Sequence, residues 1–522
     1  MFVLHPDMLM MFGAEPSGFS VSFGLFLLFL VLLYWYSTSP YSVLQRCGIR
    51  HPKPAPFFGN MMLFRHDFFK AQKDLINQYG RVCGYYLARQ PMVVIADPDM
   101  LRQVMVKEFH NFPNRMLFRM ATKPMMDSLT MLRDEQWKRV RSILTPTFSA
   151  AKMKEMVPLI RVATETLLNN LKAYAESGES VDIYRCFGCF TMDVIASVAF
   201  GMHVDSQNNP NNPFVHHASK FFAFSFFRPL MFIFMTFPFL IGPLGGLMRD
   251  KDSSAMSKFF TTCIQKLIKQ RDELPPSQRR RDFLQLMLDV RSSKECVSLD
   301  HFDVVNQADE QVVADGKSES YHESAKRSQQ KRMMTEDEII GQAFIFLLAG
   351  YETSSNTLAF ACYLLATHPD CQKKVQRELD DFLSRHGSVD YTNIQELKYL
   401  DMVVCETLRL YPPAFRYMRA IEHDCVHWHE PEKFIPERFT PEAKASRHPF
   451  VYLPFGAGPR SCVGMRLAQL EIRMALVNIF KTFNLMACED TEVPLTLKSN
   501  TTLGPKNGVF VKIAKRENFG DA

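Results

Sequence analysis

The 522-residue chain is 47% hydrophobic and 22% charged, with 61 basic and 55 acidic residues and a net charge of +6. These fractions exclude a disordered chain, a collagen-like repeat and a multi-span transporter, and so small a charge argues against a nucleic-acid partner. Phe (45) and Met (30) are abundant while Trp is only 3, which fits either apolar cavities and membrane contact or simply a large core.

Residues 1–18 contain Asp7 and Glu15 but no Lys or Arg, unlike the basic start of a cleaved signal peptide. Phe19 to Tyr36 is an uncharged run of eighteen residues, near the lower limit for a helix that crosses a bilayer. Tyr34, Trp35 and Tyr36 suit the membrane interface, and Arg46, Arg50 and Lys53 mark the cytoplasmic side. The expectation is a short lumenal N-terminus (1–18), a single transmembrane signal-anchor (19–36) in contact with the lipid bilayer, and a cytosolic remainder. Alternating prolines from His51 to Pro56 predict a stiff, Pro-rich hinge over 37–60, followed by one large catalytic domain over 61–522.

The twelve cysteines have no framework spacing, which fits a reducing compartment. Cys186 and Cys189 lack a second CxxC to complete a zinc site, so two packed thiols are expected. A second apolar region, Phe221 to Leu240, is broken by Arg228, Pro229 and Pro238. It reads either as a patch that dips into the membrane or as a buried loop and helix. Residues 291–334 are polar and charged, which predicts a mobile solvated loop. Thr335 and Glu338 form a capping box that opens a run without proline until Pro369. That predicts a helix about 45 Å long. Further helices are expected at 370–385, 397–410 and 465–481, and short strands at Val93–Ile95 and Val509–Val511. The fold class is mainly α with a minor β-sheet.

Residues 454–464 hold Gly456, Gly458 and Gly464 with Pro454 and Pro459, a tight loop around Cys462 just before a helix. The helix N-terminus and loop N–H groups favour a thiolate, as an axial haem ligand requires, and Arg460 lies within reach of a haem carboxylate. A glycine-rich turn with a chance cysteine is the plainer reading of that loop alone. Glu406 and Arg409 lie three apart on one helix face and can pair. In the long helix Ala349 and Thr353 share a face, and Gly350 in a helix interior suggests close approach of something flat.

In combination these residues resemble the cytochrome P-450 superfamily. Phe455, Gly456, Gly458, Arg460, Cys462 and Gly464 match its haem-binding loop, and Glu406 with Arg409 matches its ExxR motif. Pro436 to Phe439 resembles the segment whose arginine, here Arg438, completes that network. Trp137 and Arg141 resemble the pair that holds a haem propionate. The resemblance spans residues 40–515. It implies a P-450 haem-thiolate fold behind one transmembrane helix, haem b (iron protoporphyrin IX) as cofactor, and an endoplasmic reticulum membrane location. It makes Cys462 the axial iron ligand, and Arg115, Trp137, Arg141, Arg419, Phe455 and Arg460 the cofactor-binding residues. Ala349, Gly350, Glu352 and Thr353 would lie over the haem on the substrate side, where an acid followed by Thr delivers protons to dioxygen in monooxygenases.

Stretches 51–60, 173–178, 193–201, 364–372, 399–416 and 503–508 are most similar to the branch that isomerises prostaglandin H2 to thromboxane A2. Hydroxy-heptadecatrienoic acid and malondialdehyde are the implied by-products. The substrate brings its own O–O bond, so homolysis at ferric haem needs no dioxygen, NADPH or reductase. Two features depart from this pattern. An apolar residue is expected in place of Thr353, so a reductase-dependent monooxygenase of lipids, steroids or drugs is the alternative. Arg409 and Pro436 are 27 residues apart, and the family has roughly two dozen more, enough for two strands and a turn. The deficit falls within 420–433, around His427 and His429, where a junction loop is expected. It makes a catalytically impaired haem protein a third reading.

Overall fold

The computed structural model describes residues 18–65, 67–116, 121–209, 211–223, 229–248, 251–280, 282–292, 333–499 and 501–516. The expected lumenal tail (1–17) and most of the expected mobile loop (293–332) lie outside the described residues. The chain divides into two compact units, one of residues 1–96 with 227–243, the other of residues 97–226 with 244–522.

In the first unit, helix α1 (Gly18–Thr38) has 21 residues and no charged side chain. At 1.5 Å per residue it is about 32 Å long, the thickness of a bilayer's hydrocarbon core. Its side chains are exposed along its length, among them Phe19 at 81%. Near its end the Tyr36 ring stacks on Phe237 at 5.6 Å and lies 3.6 Å beneath the Arg89 guanidinium. The hinge is not free-standing. The Asn60 side chain donates to Lys53 O (3.1 Å) and accepts from Tyr86 N–H (2.9 Å), which fastens the prolines to strand β1 (Val82–Leu87). Strand β2 (Gln90–Ile95), which includes the expected Val93–Ile95, pairs antiparallel with β1. The second apolar region is partly buried and partly exposed. In the short helix Pro229–Thr236, Met231 and Phe234 are buried, while Ile233 and nearby Phe239 are exposed.

The second unit is built around a long helix. Labelled in chain order, α2 is Asp134–Leu144, α3 Ala150–Ser177, α4 Ile183–Phe200 and α5 Glu336–Thr367. Helix α5 has 32 residues and starts at the predicted capping box, with Thr335 Oγ1 and the Glu338 carboxylate each bonded to the other's N–H. It is buried on nearly all sides. The Thr191 hydroxyl of α4 donates to Tyr351 O at 2.8 Å, tying the two helices at mid-length. Helices α6 (Pro369–His386), α7 (Lys398–Leu410), α8 (Phe415–Glu422) and α9 (Met465–Thr482) follow. Three of these match predicted spans within two residues; α8 is unforeseen.

Strand β3 (Val181–Asp182) pairs with β7 (Phe510–Lys515), which pairs with β4 (Phe483–Met486), all antiparallel. Strands β5 (Leu497–Ser499) and β6 (Leu503–Pro505) form a separate hairpin. Between Arg409 and Pro436 there is no strand; α8 and a turn at 424–428 span the interval. That junction is packed rather than loose. Trp428 is 1% exposed, lies against Phe439 (5.8 Å), and is capped by Arg447 at 4.0 Å from its ring. His427 lies 4.0 Å from Asp424, and His429 is exposed. Among the described residues no cluster of His, Cys, Asp and Glu could hold a metal ion. Cys186 and Cys189 are half-buried thiols on α4, pushed up to about 12 and about 11 by burial.

Candidate haem-thiolate site

The loop before α9 is shaped by two glycines at positive φ, Gly456 (73°) and Gly458 (66°). A Cβ at Gly458 would collide with the carbonyl oxygen of Met105, so no other residue fits there. Cys462 N–H donates to Phe455 O at 2.8 Å and closes the loop. Gly464 caps α9, and its N–H donates to the cysteine sulfur. Burial pushes the Cys462 thiol up, and the Gly464 N–H, Arg141 and Arg115 oppose it, in the direction expected of the loop and helix start. A cation bound directly to the sulfur would favour the thiolate further.

Beside the sulfur lies a cluster of cations. Trp137 and Arg141 occupy successive turns of α2, both buried at 2% and 4%. The Arg460 guanidinium stacks 4.1 Å over the Trp137 ring. Arg115 Nη2 donates to Arg460 O at 3.4 Å. Burial, then Arg115 and Arg141, lower Arg460 to about 10, opposed by Asp134. Burial also lowers Arg141, with Arg115 adding to the effect and Cys462 opposing it. The buried Arg141 Nε has no hydrogen-bond partner among the described residues. Three mutually repelling guanidiniums and an orphaned buried donor, next to a cysteine at a helix start, fit haem with its two carboxylates.

Arg460 donates to three main-chain carbonyls, Pro113 (2.9 Å), Leu129 (3.3 Å) and Leu132 (3.1 Å). It therefore braces the loop, with two N–H groups left over. Arg419, on α8, acts electrostatically on Tyr411 and His423.

The Glu406–Arg409–Arg438 residues come together. Arg409 Nε and Nη2 donate to the Glu406 carboxylate at 2.7 and 2.8 Å, and Arg438 Nε reaches it at 3.3 Å. The remaining Arg409 donors go to the carbonyls of Glu422 (2.9 Å), Pro431 (2.8 Å) and Lys433 (3.3 Å). All five N–H groups of a fully buried guanidinium are thus satisfied, and the shortened junction supplies three of the acceptors.

On α5, Ile345, Ala349 and Thr353 succeed one another at four-residue intervals and, with Phe346 and Gly350, are the less buried positions of that stretch, Ala349 being exposed. One face of an otherwise buried helix is therefore open at mid-length. The Thr353 hydroxyl donates to Ala349 O at 2.7 Å. At Gly350 helix α4 approaches closely, since a Cβ there would meet Ile195 Cγ1 at 2.8 Å. Glu352 is 3% exposed, accepts from the Thr502 hydroxyl (3.0 Å) and pairs with Lys498 (3.6 Å).

Glu471 was missed in the sequence. It lies nine residues past Cys462, buried on α9 and hydrogen-bonded to Ser354 of α5. The available signal was an acid on the apolar stripe formed by Leu467, Leu470 and Met474. Burial pushes its carboxyl up to about 8, against 4.5 for an ordinary glutamate. Between those values the folded protein keeps a proton that the unfolded chain releases. Stability therefore falls as pH rises through that window, by about 1.4 kcal/mol per pH unit. Glu471→Gln is expected to shrink the loss of Tm between pH 5 and pH 8; an unchanged loss would contradict the assignment.

The family model "Cytochrome P450" matches residues 49–316, 315–426 and 415–513, and its last two pieces meet within the shortened junction. The chain is 46% identical to thromboxane-A synthase of Macaca fascicularis and 45% identical to that of Sus scrofa, over 96% of this chain and 98% of each relative. It is 37% identical to cytochrome P450 3A6 of Oryctolagus cuniculus, over 94% of this chain and 96% of that one. With the cysteine loop, the buried Glu–Arg pair and these likenesses together, the chain belongs to the cytochrome P-450 family of haem enzymes.

Proposed function

We propose that this enzyme isomerises prostaglandin H2 to thromboxane A2, releasing hydroxy-heptadecatrienoic acid and malondialdehyde alongside. The likeness to thromboxane-A synthases along almost the whole chain supports the substrate class. The observation that carries the reaction type is the state of the acid–threonine pair. The Glu352 carboxylate is bound to Lys498 and Thr502, and the Thr353 hydroxyl to its own helix. Both groups are engaged within the protein, and a substrate with its own O–O bond needs no proton relay from them.

The chemistry that haem b would supply when bound is homolytic cleavage of a peroxide O–O bond, aided by electron density from a thiolate. Cys462 would be its ligand, held by the Phe455 carbonyl and the Gly464 N–H. Arg115, Arg141 and Trp137 would hold the haem carboxylates, and Arg460 braces the loop and adds charge. The small side chain of Ala349 leaves room for an apolar C20 acid on the open face of α5. Exclusion of water from that face would keep the rearrangement confined to the bound substrate. The uncharged α1 serves as a membrane anchor, and the basic residues after it support a cytosolic catalytic unit at the endoplasmic reticulum membrane.

The test is purified protein given prostaglandin H2 without NADPH or reductase. Thromboxane B2, the hydrolysis product, is expected with hydroxy-heptadecatrienoic acid. Its absence, with lipid oxidation appearing only once reductase and NADPH are added, would establish the monooxygenase alternative that Thr353 leaves open.

A further inference from the structure

Glu352 lies one residue from Thr353, yet its partners come from elsewhere in the chain. Thr502 and Lys498 belong to the β5–β6 hairpin. Lys498 Nζ donates in turn to the Tyr184 hydroxyl of α4 at 2.8 Å. Asn356, one turn along α5 and fully buried, donates to Leu503 O at 2.8 Å. The hairpin's other side is fixed by Leu503 N–H, which donates to Pro413 O at 3.2 Å. The approach is close, since a Cβ at Gly504 would meet Lys498 Cε at 2.9 Å and Asn356 Oδ1 at 3.1 Å. A polar network thus joins α4, α5 and the hairpin, with an acid and a lysine at its centre. Burial, acting first, raises the Glu352 carboxyl, and Lys498 is the largest opposing influence.

A charge pair in such a place is a poor way to gain stability, because apolar residues of similar volume do as well or better. What it provides is a single arrangement of the pieces it joins. The pieces here are the helix with the open Ala349–Thr353 face and the hairpin beside it. We propose that Glu352 and Lys498 are positioning residues, a half-buried latch that fixes the β5–β6 hairpin against α5 and so sets one wall of the substrate space. On the isomerase reading, on which this partly rests, a fixed wall favours rearrangement over fragmentation. The ratio of thromboxane B2 to hydroxy-heptadecatrienoic acid should therefore depend on the latch.

The test compares the haem-loaded full chain with Lys498→Met, Glu352→Gln and Lys498→Arg. Hydrogen exchange is read at the Leu503 amide, with the Leu485 amide, bonded to Gln372, as control. Lys498→Met is expected to speed exchange at Leu503 at least tenfold, to leave Leu485 unchanged, and to lower the product ratio severalfold. Glu352→Gln should act in the same direction, and Lys498→Arg should stay near wild type on both readouts. Unchanged exchange at Leu503 in both Lys498→Met and Glu352→Gln overturns the latch. Faster exchange with an unaltered product ratio overturns its positioning role. If the wild type makes no thromboxane B2, the isomerase reading fails, whereas the exchange readout still decides the latch.

Discussion

Glu406→Ala is expected to leave little folded protein. Glu406 and Arg409 are both fully buried, and the arginine's five donors are all satisfied. Removing the carboxylate leaves a guanidinium charge in the interior with only carbonyls around it, and takes a partner from Arg438 and from the Ile435 N–H. Breaking a buried pair from one side costs about 3–5 kcal/mol, a large share of the roughly 5–15 kcal/mol that holds a typical protein folded. The readout is the yield of haem-loaded protein and its Tm. Glu406→Gln keeps an acceptor for Arg409 and should be less severe. Normal yield and Tm in the alanine variant would show that the network is dispensable. The shortened junction makes this a sharp test, because Glu422, Pro431 and Lys433 rely on the same arginine for their carbonyls.

Arg141→Leu is expected to loosen the cofactor without unfolding the protein. The arginine is buried beside Cys462, its charge is disfavoured there by burial and by Arg115, and its Nε has no partner among the described residues. Leucine removes the repulsion and fills similar space, so the protein part is not weakened. A lost charge-assisted hydrogen bond to a haem carboxylate is worth about 1.5–3 kcal/mol. Haem transfer to excess apomyoglobin should therefore be faster by about tenfold to a hundredfold. A wild-type transfer rate would remove Arg141 from the cofactor site. Arg115→Leu should be milder, because that residue is exposed.

The local parts of this structure were legible in the sequence. The capping box placed the start of α5, Pro369 its end, and the uncharged run placed α1. Each of these signals lies within a few residues of the feature it sets. The Cys462 loop was legible for the same reason, since its glycines and prolines dictate the turn. What was not legible depends on distant partners. Gly350 is small because of Ile195, on another helix. Glu352 is claimed by Lys498 and Thr502, about 150 residues along the chain, and no spacing rule reaches that far. Arg460 is drawn to carbonyls at 113, 129 and 132. The sign of the Cys462 shift follows from desolvation, which only the packed fold creates. Between Arg409 and Pro436 the sequence did not disclose the helix at Phe415–Glu422 or the buried Trp428.

The central claim is that Cys462, positioned by its glycine loop, ligates haem iron as a thiolate. The most direct measurement is the absorption spectrum of the reduced, carbon-monoxide-bound protein, wild type beside Cys462→His. The wild type is expected to show the red-shifted Soret band of a thiolate-ligated haem, and the histidine variant to keep haem but lose that band. A thiolate band that survives in Cys462→His, or that is missing from haem-loaded wild type, would contradict the assignment.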